Sequence, residues 1–156
     1  MAKNKLLTLV LVHNSKQILL GMKKRGFGVG RWNGFGGKVE PNETIVEAAK
    51  RELLEECCIK AKSLIEAGML KFEFVGDPVI LEVHVFRVEQ FEGEPTETEE
   101  MRPQWFNHDE VPYKDMWPDD ILWLPSLLQN KRFDGYFKFE GHSNILEQRL
   151  EIIEDK

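Results

Sequence analysis

The sequence predicts an α+β chain, a mixed β-sheet with helices packed on it, and three observations predict it. Several runs alternate apolar and polar residues with the period of a strand. One segment carries a complete helix-start signal, and a second short helical segment falls late in the chain, between strands. Strands and helices that are interspersed make a layered domain. At 156 residues the chain is expected to form one domain, residues 1–156, large enough for a sizeable core.

Residues 6–12 and 17–22 are strand-like runs on either side of Asn14–Ser15, which predicts a hairpin. The lysine-containing, apolar start could be read as a signal peptide. Its apolar run is short, alternates through Thr8 and lacks a small-residue cleavage site, so it is read as a strand. Residues 23–38, KKRGFGVGRWNGFGGK, are glycine-rich and predict loop with short extended pieces. A helix is predicted over 44–58, after Pro41, because Thr44 and Glu47 stand in capping-box spacing. Residues 64–74, 79–91 and 101–106 read as extended, with the acidic loop EGEPTETEE before the last of them. Residues 119–129 are helical, with an interruption expected at Pro125. Residues 132–139 and 144–152 read as strands.

Composition excludes several functions. The net charge of −6 argues against binding a nucleic-acid polymer, which needs a positive surface. No apolar run reaches the length of a membrane span. Cys57 and Cys58 are neighbours and cannot form an ordinary structural disulfide or a CxxC metal clip. Free thiols fit a reducing compartment, so the cytoplasm is expected, with the nucleus or mitochondrion as alternatives.

The segment RELLEECCI places Glu52, Glu55 and Glu56 within five positions. On a helix these like charges repel by roughly a few tenths of a kcal/mol per pair. At about 100° per residue the three share one side with Ile45, Ala48 and Ala49, a stripe that should face the protein body. Arg51 has Glu47 and Glu55 at its i±4 positions. A charge run on a helix is ordinarily a solvated face. Half-buried carboxylates instead need a partner, a proton or a metal. Mg²⁺ takes a few carboxylates, waters and phosphate oxygens, and so answers the repulsion.

Gly37, Glu43, Arg51, Glu52, Leu53, Glu55, Glu56 and Ile59 stand in the spacing G-x5-E-x7-R-E-U-x-E-E-x-G-U, with Cys58 where the motif has glycine. This resembles the Nudix hydrolase signature. The resemblance implies a mixed sheet sandwiched between helices and hydrolysis of a nucleoside diphosphate linked to another group. It implies Mg²⁺, with Mn²⁺ as a substitute, held by Glu52, Glu55 and Glu56, the carbonyl of Gly36 or Gly37, and Glu100. Arg51 and Glu43 would orient the acids. Glu56 is the first choice for the residue that takes a proton from water, and Glu100 the second. Cys58 leads to an expected change in the helix end, because a left-handed residue there favours glycine.

RGFGVGRWNGFGGK and MRPQWF…DMWPDD extend the likeness to the MutT-type oxidised purine nucleoside triphosphatases of vertebrates. That resemblance implies a purine pocket containing Thr8, Lys23, Phe27, Asn33, Phe35, Gly36, Gly37, Lys38, Phe72, Trp117, Pro118, Asp119 and Asp120. It would further be lined by Phe74, Leu81, Trp123 and Phe139, in a protein expected to be a monomer that takes a small nucleotide. Each residue has a plainer role. Asp119 or Asp120 can cap the following helix, Trp117 and the phenylalanines can be core, Asn33 can be a turn residue, and Lys23 can be solvated. Two adjacent carboxylates in one apolar cleft cannot both ionise cheaply, so one should keep its proton and donate while the other accepts. Such a pair could read either oxidised guanine or oxidised adenine.

Competing motifs are weak. The glycines at 26, 28 and 30 precede no helix, Gly37–Lys38 lacks the rest of a phosphate loop, and the histidines at 13, 84, 108 and 142 have no zinc spacing. Two alternatives stay open: a Nudix hydrolase of other substrates such as dinucleoside polyphosphates, and a Nudix-fold binding module without catalysis.

Overall fold

The computed structural model describes residues 3–153, so the ends of the expected 1–156 domain lie outside the described residues. The strands are β1 (Lys3–His13), β2 (Gln17–Lys23), β3 (Trp32–Asn33), β4 (Lys60–Ala61), β5 (Ile65–Phe74), β6 (Val79–Val88), β7 (Phe91–Glu92), β8 (Met101–Asn107), β9 (Arg132–Glu140) and β10 (Asn144–Ile153). Helix α1 spans Ile45–Cys57 and α2 spans Asp120–Leu128. The main sheet runs β10-β9-β5-β6-β1-β2-β3, and β8 also pairs with β2. β1–β6 and β5–β9 are parallel and the remaining pairs antiparallel, so the sheet is mixed.

Alternation along β1 and β2 decides what covers each face. Leu11, Ile18 and Leu20 belong to a core with Trp123, Leu124 and Leu127 of α2. Val10, Val12 and Leu19 belong to a second core with Ala49, Leu53 and Cys57 of α1. Residues one apart in a strand point to opposite faces, so the two helices cover the two sides of the sheet. The site lies between the two cores because β1 serves both.

Local chemistry sets the element ends. Asn14 Oδ1 accepts the amides of Lys16 and Gln17 at 2.8 Å each and closes the β1–β2 turn. The capping box forms: Glu47 N donates to Thr44 Oγ1, and Thr44 N to Glu47 Oε1. Three sequence expectations are corrected. The strand expected over 79–91 stops at Val88, and Phe91–Glu92 pairs with Lys60–Ala61 in a separate two-stranded sheet. Helix α2 is not interrupted at Pro125. Proline removes one bond, to the carbonyl of Ile121, a residue whose side chain is itself exposed. The end of α1 is unchanged by the missing glycine: Cys58 takes the left-handed conformation itself (φ 65°, ψ 22°), and its N–H reaches Leu54 O.

Candidate active site

A cavity of about 340 Å³ opens between β1, the β2–β3 loop, β5, β6 and the start of α2. Thr8, Lys23, Phe27, Asn33, Gly36, Gly37, Lys38, Glu56, Phe72, Trp117, Asp119 and Asp120 all line it, as do Phe74, Leu81 and Trp123. Phe35 does not. Its ring is fully buried in the core under α1, because it alternates with Gly34 and Gly36 and faces the helix. Pro118 is half-buried outside the lining, and Phe139 lies behind it, stacked on Phe74 at 5.6 Å. Leu7, Leu9, Gly28, Val83 and Met101 line the cavity without having been expected. The outward leucines of β1 carried a signal in their alternation; Met101 carried none.

At one end stand the acids of α1. Glu56 is buried and Glu52 half-buried, while Glu55 is exposed. The expected inward stripe therefore holds for two of the three. Gly36 N donates to Glu56 Oε1 at 2.9 Å. A side chain at Gly37 would meet the Glu52 carboxylate, and one at Gly36 would collide with the Thr8 carbonyl, so glycine is required for this close approach. Arg51 grips Glu43 through two bonds (2.7 and 3.0 Å), holding that carboxyl down at about 2, and also donates to Glu52 (2.8 Å) and Glu55 (3.3 Å). Glu47, the other possible partner of Arg51, is taken by the capping box.

Glu56 has no ion pair among the described residues. Burial pushes its carboxyl up to about 7, and burial also raises Glu52. The acids stand in the last turns of α1, where the helix dipole is negative and no basic residue offsets it. Glu100 is not drawn into this pair. Its carboxylate meets Arg25 at 2.6 Å and Lys23 at 3.5 Å. Thr98 fixes the same loop to α1: its hydroxyl donates to Glu56 O and accepts from Glu100 N. Among the described residues no three His, Cys, Asp or Glu side chains form a ready-made metal group. The donor set is nonetheless oxygen only, crowded and short of positive charge, and it fits a hard divalent cation completed by waters and phosphate.

At the other end Asp119 and Asp120 are buried. Asp119 occupies the N-cap position of α2 but makes no capping bond. Its Oδ2 instead accepts Trp123 Nε1–H at 2.7 Å. Among the described residues, Asp119 Oδ1 and Asp120 Oδ2 have no hydrogen-bond partner. Burial raises both carboxyls, Asp120 further because the charge of Asp119 adds to it. Asp120 is therefore the more readily protonated of the two. Asn33 Oδ1 accepts the Gly34 amide at 2.8 Å, and Thr8 Oγ1 lies 3.5 Å from Gly37 O. Phe27 stacks on Trp117 at 5.0 Å, and Arg31 lies 4.4 Å over the Trp117 ring while donating to His142 O and Ser143 Oγ. Arg31 was not foreseen; its hydrogen-bond partners are more than a hundred residues away in sequence.

A helix bearing paired acids at a glycine-lined cavity on a mixed sheet is the arrangement of one class of α+β hydrolase. The model of the NUDIX domain matches residues 3–127, and the chain belongs to the Nudix family of hydrolases. It is 57% identical over 155 residues to the zebrafish (Danio rerio) oxidized purine nucleoside triphosphate hydrolase, covering 99% of each chain. It is 53% identical over 154 residues to the mouse (Mus musculus) protein of that name, again covering 99% of each. Among solved structures it is similar to the MutT protein of Bacillus halodurans (TM-score 0.83, 28% identity, 94% of this chain and 97% of that one). It is also similar to the E. coli ORF135 protein (TM-score 0.67, 27% identity, 82% and 91%). Nudix hydrolases generally use a divalent metal, typically Mg²⁺. Among the described residues no helix is long and apolar enough to cross a membrane.

Proposed function

We propose that this chain hydrolyses oxidised purine nucleoside triphosphates to the monophosphate and pyrophosphate, so that damaged precursors do not reach a polymerase. The observation that carries the reading is the buried Asp119–Asp120 pair in an aromatic cavity whose other end is acidic. The names of the zebrafish and mouse relatives support it. One protonated and one ionised carboxylate present a donor beside an acceptor to the base edge. Shifting the proton between them exchanges the pattern, so oxidised guanine and oxidised adenine both fit. Asn33 and Thr8 add polar contacts, and Phe27, Phe72 and Trp117 supply ring faces.

Lys23 and Lys38 line the cavity and would meet phosphates. Glu52, Glu55, Glu56 and Glu100, with the carbonyl of Gly36 or Gly37, would hold Mg²⁺ or Mn²⁺. When bound, that ion neutralises phosphate charge and makes water nucleophilic near neutral pH. Arg51, tied to Glu43, keeps Glu52 in place. Glu56, fixed through Oε1 by the Gly36 amide, takes a proton at its other oxygen. The chain acts as one domain and a monomer on a small nucleotide, with no nucleic-acid polymer, in the cytoplasm.

The test is a steady-state panel of 8-oxo-dGTP, 2-oxo-dATP, dGTP and a dinucleoside polyphosphate, with Mg²⁺ and with EDTA. The oxidised triphosphates should be cleaved best, and only with metal. Preference for the dinucleoside polyphosphate would transfer the chain to another Nudix substrate class. Binding without pyrophosphate release would make it a binding module.

A further inference from the structure

The loop between β2 and β3 carries two cations that grip the acidic loop before β8. Lys24 Nζ meets Glu97 at 2.7 Å and Thr98 O at 2.8 Å. Arg25 meets Glu100 Oε1 through Nη2 at 2.6 Å and through Nε at 2.8 Å. The second oxygen of Glu100 faces Lys23 at 3.5 Å. Both oxygens of Glu100 are thus held by side chains of one short stretch, although Thr98 ties the backbone of Glu100 to that of Glu56. Glu100 stands beside the acids of α1 with its charge committed elsewhere.

The holder is suited to changing partners. The Arg25 side chain is 59% exposed and the Glu100 side chain 35%. A guanidinium fork binds phosphate as well as carboxylate. Lys23 lines the cavity, and the next cations along the chain, Lys24 and Arg25, stand just outside its lining: Lys24 is held by Glu97 at 2.7 Å, whereas Arg25, besides Glu100, meets the exposed Glu99 at 3.6 Å. A triphosphate whose base lay near Asp119 and whose phosphates passed Lys23 would leave the cavity beside Arg25, two residues from Lys23.

We propose that Arg25 is a positioning residue for Glu100: it holds Glu100 in the substrate-free protein and exchanges it for the distal phosphate of a triphosphate, releasing Glu100 toward Glu52 and Glu56. The proposal rests on the reading of those acids as a cation site. Its consequence is positive coupling between nucleotide and divalent cation through one side chain.

The test separates binding from turnover. Mn²⁺ binding to the nucleotide-free protein is followed by electron paramagnetic resonance for wild type, Arg25→Ala, Arg25→Lys and Arg25→Ala/Glu100→Gln. Arg25→Ala should bind Mn²⁺ about two- to fivefold more tightly than wild type, the scale of one solvent-facing charge pair. The double variant should lose that gain, and Arg25→Lys should fall between. In turnover, Arg25→Ala should raise KM for 8-oxo-dGTP about tenfold with kcat within about twofold, as expected for a contact made equally in the ground and transition states. Unchanged or weaker Mn²⁺ binding by Arg25→Ala, a gain that survives Glu100→Gln, or an unchanged KM overturns the proposal. Should wild type bind Mn²⁺ yet cleave no oxidised triphosphate, the substrate reading fails while the Mn²⁺ comparison still judges the latch.

Discussion

The two ends of the cavity solve the same problem with different particles. At each end carboxylates are drawn out of water: Glu52 and Glu56 on α1, Asp119 and Asp120 at the start of α2. Around α1, cations pair with three of the four acids: Arg51 meets Glu52 and Glu55, Lys23 and Arg25 meet Glu100, and Glu56 is left with the Gly36 amide and a carboxyl pushed up to about 7 by burial. Around α2 no ion pair to either aspartate forms among the described residues, and burial together with the neighbouring Asp119 charge favours a proton on Asp120. A carboxylate beside exchangeable cations can take a metal and phosphates. A carboxylate balanced by a proton can only offer hydrogen bonds, which is what a base edge needs.

The largest expected effect breaks the α1 side. Glu56→Gln should lower kcat about 10²- to 10⁴-fold if Glu56 takes the proton from water. Loss below tenfold would hand that role to Glu100. Next comes a stability effect in the metal-free protein. The unfolded carboxyl ionises near 4.5, whereas the folded one, raised to about 7, holds its proton longer. Below 4.5 both states are protonated and the contribution is complete. As pH rises to 7 the unfolded chain gains by ionising, and wild type loses roughly 3 kcal/mol relative to Glu56→Gln. Urea unfolding of both proteins in EDTA at pH 4.5 and 7.5 measures this, and adding Mg²⁺ at pH 7.5 should restore wild type. A pH-independent difference would mean that Glu56 is already paired.

The α2 side is tested by Asp119→Asn, which fixes one donor–acceptor pattern. It should separate 8-oxo-dGTP from 2-oxo-dATP in kcat/KM by about tenfold or more, the worth of one mismatched hydrogen bond. Equal losses would contradict a movable proton. The smallest effect lies at the helix end. Cys58→Gly relieves a left-handed cysteine and should stabilise by about 0.5–1 kcal/mol in the same unfolding assay, with kcat unchanged.

The asymmetry between the ends also governed what could be read in advance. The α1 acids and the capping box are local, so spacing placed them together, while Gly36 and Gly37, twenty residues from Glu56 in the case of Gly36, joined them only through the family resemblance. The strands were legible by alternation, apart from the β4–β7 pair, whose two-residue strands are too short to show a period. The resemblance puts Phe35 in the pocket, but only the pairing of Val10 with Phe35 decides that its ring faces α1. Arg25, Arg31 and Thr98 were missed for the opposite reason. Each acts on residues roughly forty to more than a hundred positions away, and a solvent-facing arginine carries no sign of its partner.

The turn that ends α1 has a practical side. It leaves the thiol of Cys58 exposed, while that of Cys57 is sealed under the sheet and pushed up to about 12 by burial. Of the two thiols in the chain, a thiol-labelling reagent meets one. A dye or spin label can therefore be attached two residues from Glu56 in the unaltered sequence, and would report the arrival of an ion there directly.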